Sequence, residues 1–263
     1  HVDDFTTRAL IDCQRQAILQ PDHLLVVSTL WQEIMLAEYG RTADIVRNGV
    51  DPGRFPEISD ERRRELRDCV SAGDRPVLLS IGGIEPRKGS VELFEALGIL
   101  KARELRPILV MIGGHAFQDY AAYRDAAIAR LPQLGLDLGV DIVQLGTVDD
   151  VTLGEWYRAA DALAFPSVKE GFGLVALEAQ AADLPVVASS IPVFAEFLTD
   201  GQDALLPEVG NASALADALE RVLTDPDLRA RLIAGGTKVV PRFSWDASAA
   251  RHIDIYRALL PAP

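Results

Sequence analysis

Cysteine is scarce in this chain: 263 residues hold two, Cys13 and Cys69, with no C-x-x-C spacing. A disulfide framework and a thiolate metal site are thereby excluded, and the pattern fits reduced thiols in a cytoplasmic protein. Histidine is nearly as sparse, and His1, His23, His115 and His252 stand too far apart to make a ligand motif. Long apolar runs are missing too. The longest, PILVMIG and LPVVAS, fall far short of the roughly 20 residues that cross a bilayer, so no membrane span is expected. Positive charge is in deficit, with 26 Lys and Arg against 39 Asp and Glu and a formal net charge of −13. Nucleic acid is a poor partner for such a chain, because phosphate backbones call for a positive field. No G-x-G-x-x-G opens a helix after a strand, which argues against a nicotinamide-dependent oxidoreductase. Internal repeats, low-complexity tracts and a signal pattern are also lacking. The first residue is His rather than Met, and the chain reads as a fragment or processed product.

What is present is ample material for a core, with 49% apolar residues. From Ala9 to Leu19 the apolar spacing is helical and Pro21 stops it. HLLVVS (His23 to Ser28) reads as a buried strand, Thr29 to Tyr39 as a helix closed by Gly40, and ADIVRNGVD as a short strand ending in an Asn-Gly turn. The polar stretch that follows reads as a linker. We therefore expect an α-β-α-β segment over 1–49, a linker over 50–75 and a second domain over 76–263. In that second domain apolar runs alternate with helix-length amphipathic segments, the signature of a doubly wound parallel sheet of α/β class. PVLLSIGG, RPILVMIGG, VDIVQLGTV, DALAFPS and LPVVASS are its strands. Helices are expected near Ser90 to Glu104, Tyr120 to Leu131, Thr152 to Ala160, Leu174 to Ala182, Pro192 to Leu198, Ser213 to Thr224 and, last, Trp245 to Leu260.

Ligands of open α/β sheets bind beyond the carboxyl ends of the strands, which directs attention to four loops. The first holds Gly82, Gly83, Arg87 and Lys88 ahead of a helix, a set that lets backbone and cations approach a diphosphate. By itself it is equally an ordinary turn beside a solvated Arg-Lys pair. In the second, Gly113, Gly114 and His115 allow close approach to a base or ribose, or a tight turn. The third offers backbone groups of Gly146, Thr147 and Val148 to the edge of a base. The fourth, SVKEGFGLVALEAQ, sets Glu170 beside Gly171, Phe172 and Gly173, with Leu174 opening a helix and Glu178 one turn inside. Free amides at that helix start suit an anion or sugar oxygens, and a carboxylate at Glu178 can accept from both hydroxyls of a ribose.

The run P-S-x-x-E-G-F-G-L-x-x-L-E-A-x-A followed by P-V-V-A-S resembles the donor-domain signature of glycosyltransferase family 4, retaining enzymes of the two-Rossmann-domain (GT-B) fold. NGVD, E-P-R-K-G, G-T-V, AADALAFPS and E-F-L-T-D-G fall in the family's order, and the likeness covers roughly Val26 to Gly210. The resemblance implies that Glu178 binds ribose and Glu170 the donor sugar. It further implies that the Gly171, Phe172 and Gly173 amides face sugar or phosphate, and that Lys88 holds the diphosphate and stabilises leaving-group charge. An arginine usual in the family is replaced by Gly83, with Arg87 as the nearby substitute, and a usual glycine by Asp183. His1 either matches a family histidine near the reacting centre or is simply where the chain begins.

These residues lead us to expect a glycosyltransferase that moves a sugar from a nucleoside diphosphate donor to an unidentified acceptor with retention, this chain being mainly the donor-binding half. No D-x-D stands in a suitable loop, and no metal or other cofactor is expected. The resemblance also makes 1–49 the remnant α-β-α-β of the family's Rossmann-like N-terminal acceptor domain, and it leaves peripheral membrane contact open through the rest of that domain. Two alternatives remain: a nucleotide-sugar-binding module without turnover, and a nucleotide-sugar epimerase of the same fold.

Overall fold

The computed structural model describes residues 8–114 and 119–260, so His1 and His115 lie outside the described residues. The chain falls into two units, one formed by the residues up to Gly49 together with those from Phe243 on, the other by Val50–Arg242.

In the first unit α1 (Arg8–Leu19), β1 (Leu25–Val26), α2 (Thr29–Tyr39) and β2 (Asp44–Ile45) follow the expected α-β-α-β order, and the two short strands pair in parallel. Helix α2 starts where Ser28 Oγ accepts from the Trp31 amide. It stops at Gly40, whose left-handed backbone (φ 61°) returns its amide to the last turn. The final helix, Trp245–Leu259, falls in this unit, whereas the sequence reading placed it in the second domain. Close packing and charge hold it there. A Cβ on Gly49 would lie 2.2 Å from the Trp245 amide nitrogen, and Arg251 donates to Asp44 Oδ1 at 2.6 Å.

The second unit begins with α3 (Asp60–Cys69), inside the stretch read as a linker. Its sequence is almost wholly charged, yet Leu66 is buried and the arginines on either side of it grip the body of the domain. Arg67 pairs with Asp161 at 3.0 Å, and Arg62 makes a two-pronged bond to Glu155 at 3.0 and 2.7 Å. The unit continues with β3 (Val77–Ile81), α4 (Ser90–Ala102), β4 (Ile108–Ile112), α5 (Ala121–Ala129), β5 (Ile142–Gly146), α6 (Asp150–Ala159), β6 (Ala162–Phe165), α7 (Leu174–Ala181), β7 (Val186–Ala188), α8 (Ala212–Thr224) and α9 (Pro226–Val239). Pro192 to Leu198, expected as a helix, holds a single 3-10 turn at Phe194–Glu196, and α9 was not expected at all.

The five strands form one parallel sheet in the order β5-β4-β3-β6-β7. The chain winds outward from β3 through β4 to β5, then returns to β6 on the other side, so its direction of travel reverses between β3 and β6. In β3, β4, β6 and β7 apolar runs are buried on both faces, from Leu78 and Leu79 to Leu163 and Val187, which is why they carry no polar alternation, whereas edge strand β5 exposes Gln144. Helices α4 and α8 pack together over one face of it. At the amino ends of the strands, Asp141 receives Arg75 and Lys101 at 2.8 Å each. Burial raises its pKa, but those two cations and the Asp137 amide outweigh it and hold the carboxyl below its usual range. Asp183 occupies a left-handed helix end (φ 52°), as its place in the pattern suggested, and its carboxylate receives Arg158 at 2.7 Å. Among the described residues, no helix is long and apolar enough to cross a membrane.

Candidate functional site

The loops after β3 and β6, one on each side of the reversal, are stitched to each other. The Val168 amide donates to the Arg87 carbonyl at 2.9 Å, and a Cβ on Gly89 (φ 63°) would lie 2.1 Å from the Pro166 carbonyl oxygen. This close approach brings Lys88 and Arg87 onto Glu170. A single carboxylate oxygen, Glu170 Oε1, receives Lys88 Nζ at 2.8 Å, Arg87 Nη1 at 2.9 Å and Ser167 Oγ at 2.9 Å. Arg87 also reaches Glu85 Oε2 at 3.5 Å. The Lys88 stem lies over Gly82, where a Cβ would come within 3.0 Å of its Cε, and its ammonium sits 4.6 Å from the centre of the Phe165 ring. Burial pushes Lys88 below the usual lysine range, and Glu170 opposes that shift.

Gly173 opens α7 with φ 97°, and a Cβ there would strike the Phe194 ring at 2.3 Å. Only a glycine lets the chain turn into α7 against that ring. Gly171 is exposed beside Glu170, Leu174 is half-buried as the first helical residue, and the Phe172 ring is buried against Phe197 with centroids 5.6 Å apart. Phe172 is therefore a packing residue by its side chain. Glu178, in α7, makes its bonds to another set of residues: Tyr157 donates to Oε2 at 2.8 Å and Arg54 Nη1 approaches Oε1 at 3.3 Å. Burial first, then the Glu178 carboxylate, raises the Tyr157 phenol well above its usual pKa, which keeps it a donor.

Over the carboxyl ends of β3, β4 and β5 lies a cleft of about 570 Å³, lined by Gly82, Gly83, Met111, Gly114, Gln144 and Thr147 among others. Its floor is open because the glycines are close-set: a Cβ on Gly83 would approach the Gly114 carbonyl to 3.0 Å, and one on Gly114 would approach Thr147 Oγ1 to 2.6 Å. Val148 is half-buried one residue past Thr147. Lys88, Glu170 and Glu178 are not part of the lining, so the cleft and the charged cluster adjoin through Gly82, Gly83 and Glu85.

The family model for glycosyl transferases group 1 matches residues 61–239. The chain belongs to that family. It is 35% identical over 252 residues to a D-inositol 3-phosphate glycosyltransferase of Xylanimonas cellulosilytica, covering 92% of this chain and 58% of that protein. With the phosphatidyl-myo-inositol mannosyltransferase of Mycolicibacterium smegmatis it shares 32% over 260 residues, covering 97% and 63%. Anabaena HepE in complex with UDP-glucose superposes with a TM-score of 0.82 at 20% identity, covering 96% of this chain and 68% of that one, a likeness of fold. The chain thus spans about three fifths of the length of these two relatives.

In this group 1 glycosyl transferase chain of the GT-B fold, the sequence had named two of the groups that meet Glu170, Lys88 and Arg87, but not the others around Glu170 and Glu178. Ser167, Tyr157, Arg54 and Glu85 were missed. Ser167 could have been found, since it closes the strand three residues before Glu170. Tyr157 and Arg54 carry no local signal, because they lie 21 and 124 residues from Glu178 and meet it only through the fold.

Proposed function

We propose that the whole protein transfers a sugar from a nucleoside diphosphate to an acceptor hydroxyl with retention of configuration, in the cytoplasm and without a metal ion, and that Val50–Arg242 is the donor-binding part. The observation that carries this reading is the convergence of Lys88 and Arg87 on Glu170 at the reversal of the sheet. Two cations, one of them largely buried, are there set beside a carboxylate, in the crevice where open α/β sheets take nucleotides. Lys88, helped by Arg87 in place of the arginine that Gly83 lacks, would stabilise the diphosphate as it leaves. Glu170 and the amides of Gly171, Phe172 and Gly173 would hold the sugar, and Glu178 the ribose. The glycine-floored cleft, with Gly114 and the backbone near Val148, would take the base. In the transfer the bond from the anomeric carbon to the diphosphate breaks and one to the acceptor oxygen forms on the same face, the acceptor proton passing to a diphosphate oxygen. Inositol compounds, which the names of two relatives contain, are the acceptors to try first.

Titration of UDP, GDP and ADP into this chain and into its Glu178→Gln variant tests the reading. At least one nucleotide should bind, and the variant should bind it about 1–3 kcal/mol more weakly, the cost of an unmet hydrogen-bonding group. Equal dissociation constants would remove Glu178 from the site. Donor incubated with the full-length protein and inositol acceptors should yield a glycoside; an epimerised sugar as the sole product would sink transfer.

A further inference from the structure

Two parts of the chain grip the Glu178 carboxylate, and they are themselves locked together. Tyr157 on α6 donates to Oε2 at 2.8 Å, while Arg54, in the turn Pro52–Arg54, approaches Oε1 at 3.3 Å and Asp150 Oδ1 at 3.4 Å. Three contacts fix that turn to α6. A Cβ on Gly154 would lie 2.4 Å from the Arg54 carbonyl oxygen, Arg158 Nε donates to the Phe55 carbonyl at 2.9 Å, and the Phe55 ring meets the Tyr157 ring edge-on with centroids 5.2 Å apart. Tyr157 is fully buried, so its hydroxyl is a fixed point in the domain. An ionised carboxylate has about four acceptor positions, and the protein takes one on each oxygen here.

We propose that Tyr157 is a positioning residue for donor recognition. Its hydroxyl sets the rotation of the Glu178 carboxylate so that the remaining lone pairs face the two ribose hydroxyls, with Arg54 steadying the other oxygen. The inference rests on Glu178 being the ribose ligand. A glutamate left to turn about its last torsion would still carry its charge, but would offer that geometry only part of the time.

The test compares, for the nucleotide that binds this chain best, the dissociation constant of the ribose form with that of its 2′,3′-dideoxy analogue. The unaltered chain should prefer the ribose form by about tenfold or more, and Glu178→Gln should lose most of that preference. Tyr157→Phe should cut the preference by about threefold or more while leaving affinity for the dideoxy form nearly unchanged. Arg54→Ala, at a half-exposed position and therefore safe for folding, should lower it in the same direction, and it carries the test if Tyr157→Phe does not fold. A tyrosine that only fills the core would weaken both nucleotides alike and keep their ratio. The unaltered ratio in both variants, beside a lost ratio in Glu178→Gln, would overturn the positioning role alone. No preference for ribose in the unaltered chain would overturn the reading of Glu178, and this inference with it.

Discussion

At the scale of single residues, the charge on Lys88 is the most exposed to experiment. Its ammonium is desolvated, which lowers its pKa, and Glu170 is the group that resists the fall. Nucleotide affinity should therefore hold through neutral pH and decline on the alkaline side earlier than an ordinary lysine, with a pKa of about 10.4, would dictate. In Glu170→Gln the resisting charge is gone, so the decline should begin at still lower pH. A nucleoside diphosphate without its sugar is the proper probe, since it isolates Lys88 from any contact of Glu170 with the hexose. The same alkaline midpoint in both proteins would refute the coupling. The sign for stability is the reverse of a paired lysine's. The folded chain binds fewer protons at Lys88 than the unfolded one between the lowered and the ordinary pKa, so this group contributes stability as pH rises through that interval.

At the scale of elements, the cluster depends on how tightly the turn before α4 lies against the end of β6. Gly89→Ala should show this: a left-handed residue with a side chain costs about 1–2 kcal/mol, and its Cβ would be driven into the Pro166 backbone besides. We expect a lower denaturation midpoint together with weaker nucleotide binding, measured by urea unfolding and titration, and a variant as stable and as tightly binding as the original would contradict the stitched-loop geometry. The same level explains what the sequence could reveal. The sheet strands were legible because a parallel sheet covered on both faces needs unbroken apolar runs, and VLLSI, ILVMI and ALAF supply them. Helix α3 was not, because DERRRELRDC holds a single large apolar side chain, Leu66, and docks through arginines whose partners are remote in sequence. Helix α9 carries Pro226 and the pair Gly235-Gly236, residue types that favour turns and weaken a helical pattern. In the fold Pro226 is the first helical residue, and Gly235 is bare because a Cβ would meet the Gln202 carbonyl oxygen at 2.2 Å. Glu170 and Glu178 were legible as a motif, whereas the tyrosine and arginine that orient Glu178 were not, since no periodicity links positions so far apart.

At the scale of the whole molecule, a formal charge of −13 faces the anionic ligand of the proposed function. The long-range field should oppose the approach of a nucleoside diphosphate, while the largely buried Lys88 should attract it at close quarters. Salt should separate the two, because the Debye length shrinks from about 30 Å at 0.01 M to about 10 Å at 0.1 M and buried contacts are screened less. Stopped-flow association rates should rise over that range, and a fall would mean that a local positive field governs the approach. The partition of the chain has a consequence of its own. Gly49, where the polypeptide leaves the first unit, lies against Trp245, just after it comes back. Everything from Val50 to Arg242 is thus an insertion into the path of the first unit, entered and left through one doorway. Such a segment can be exchanged whole without rerouting its host, so, on the proposed function, recombination at two neighbouring points could replace donor preference in one step.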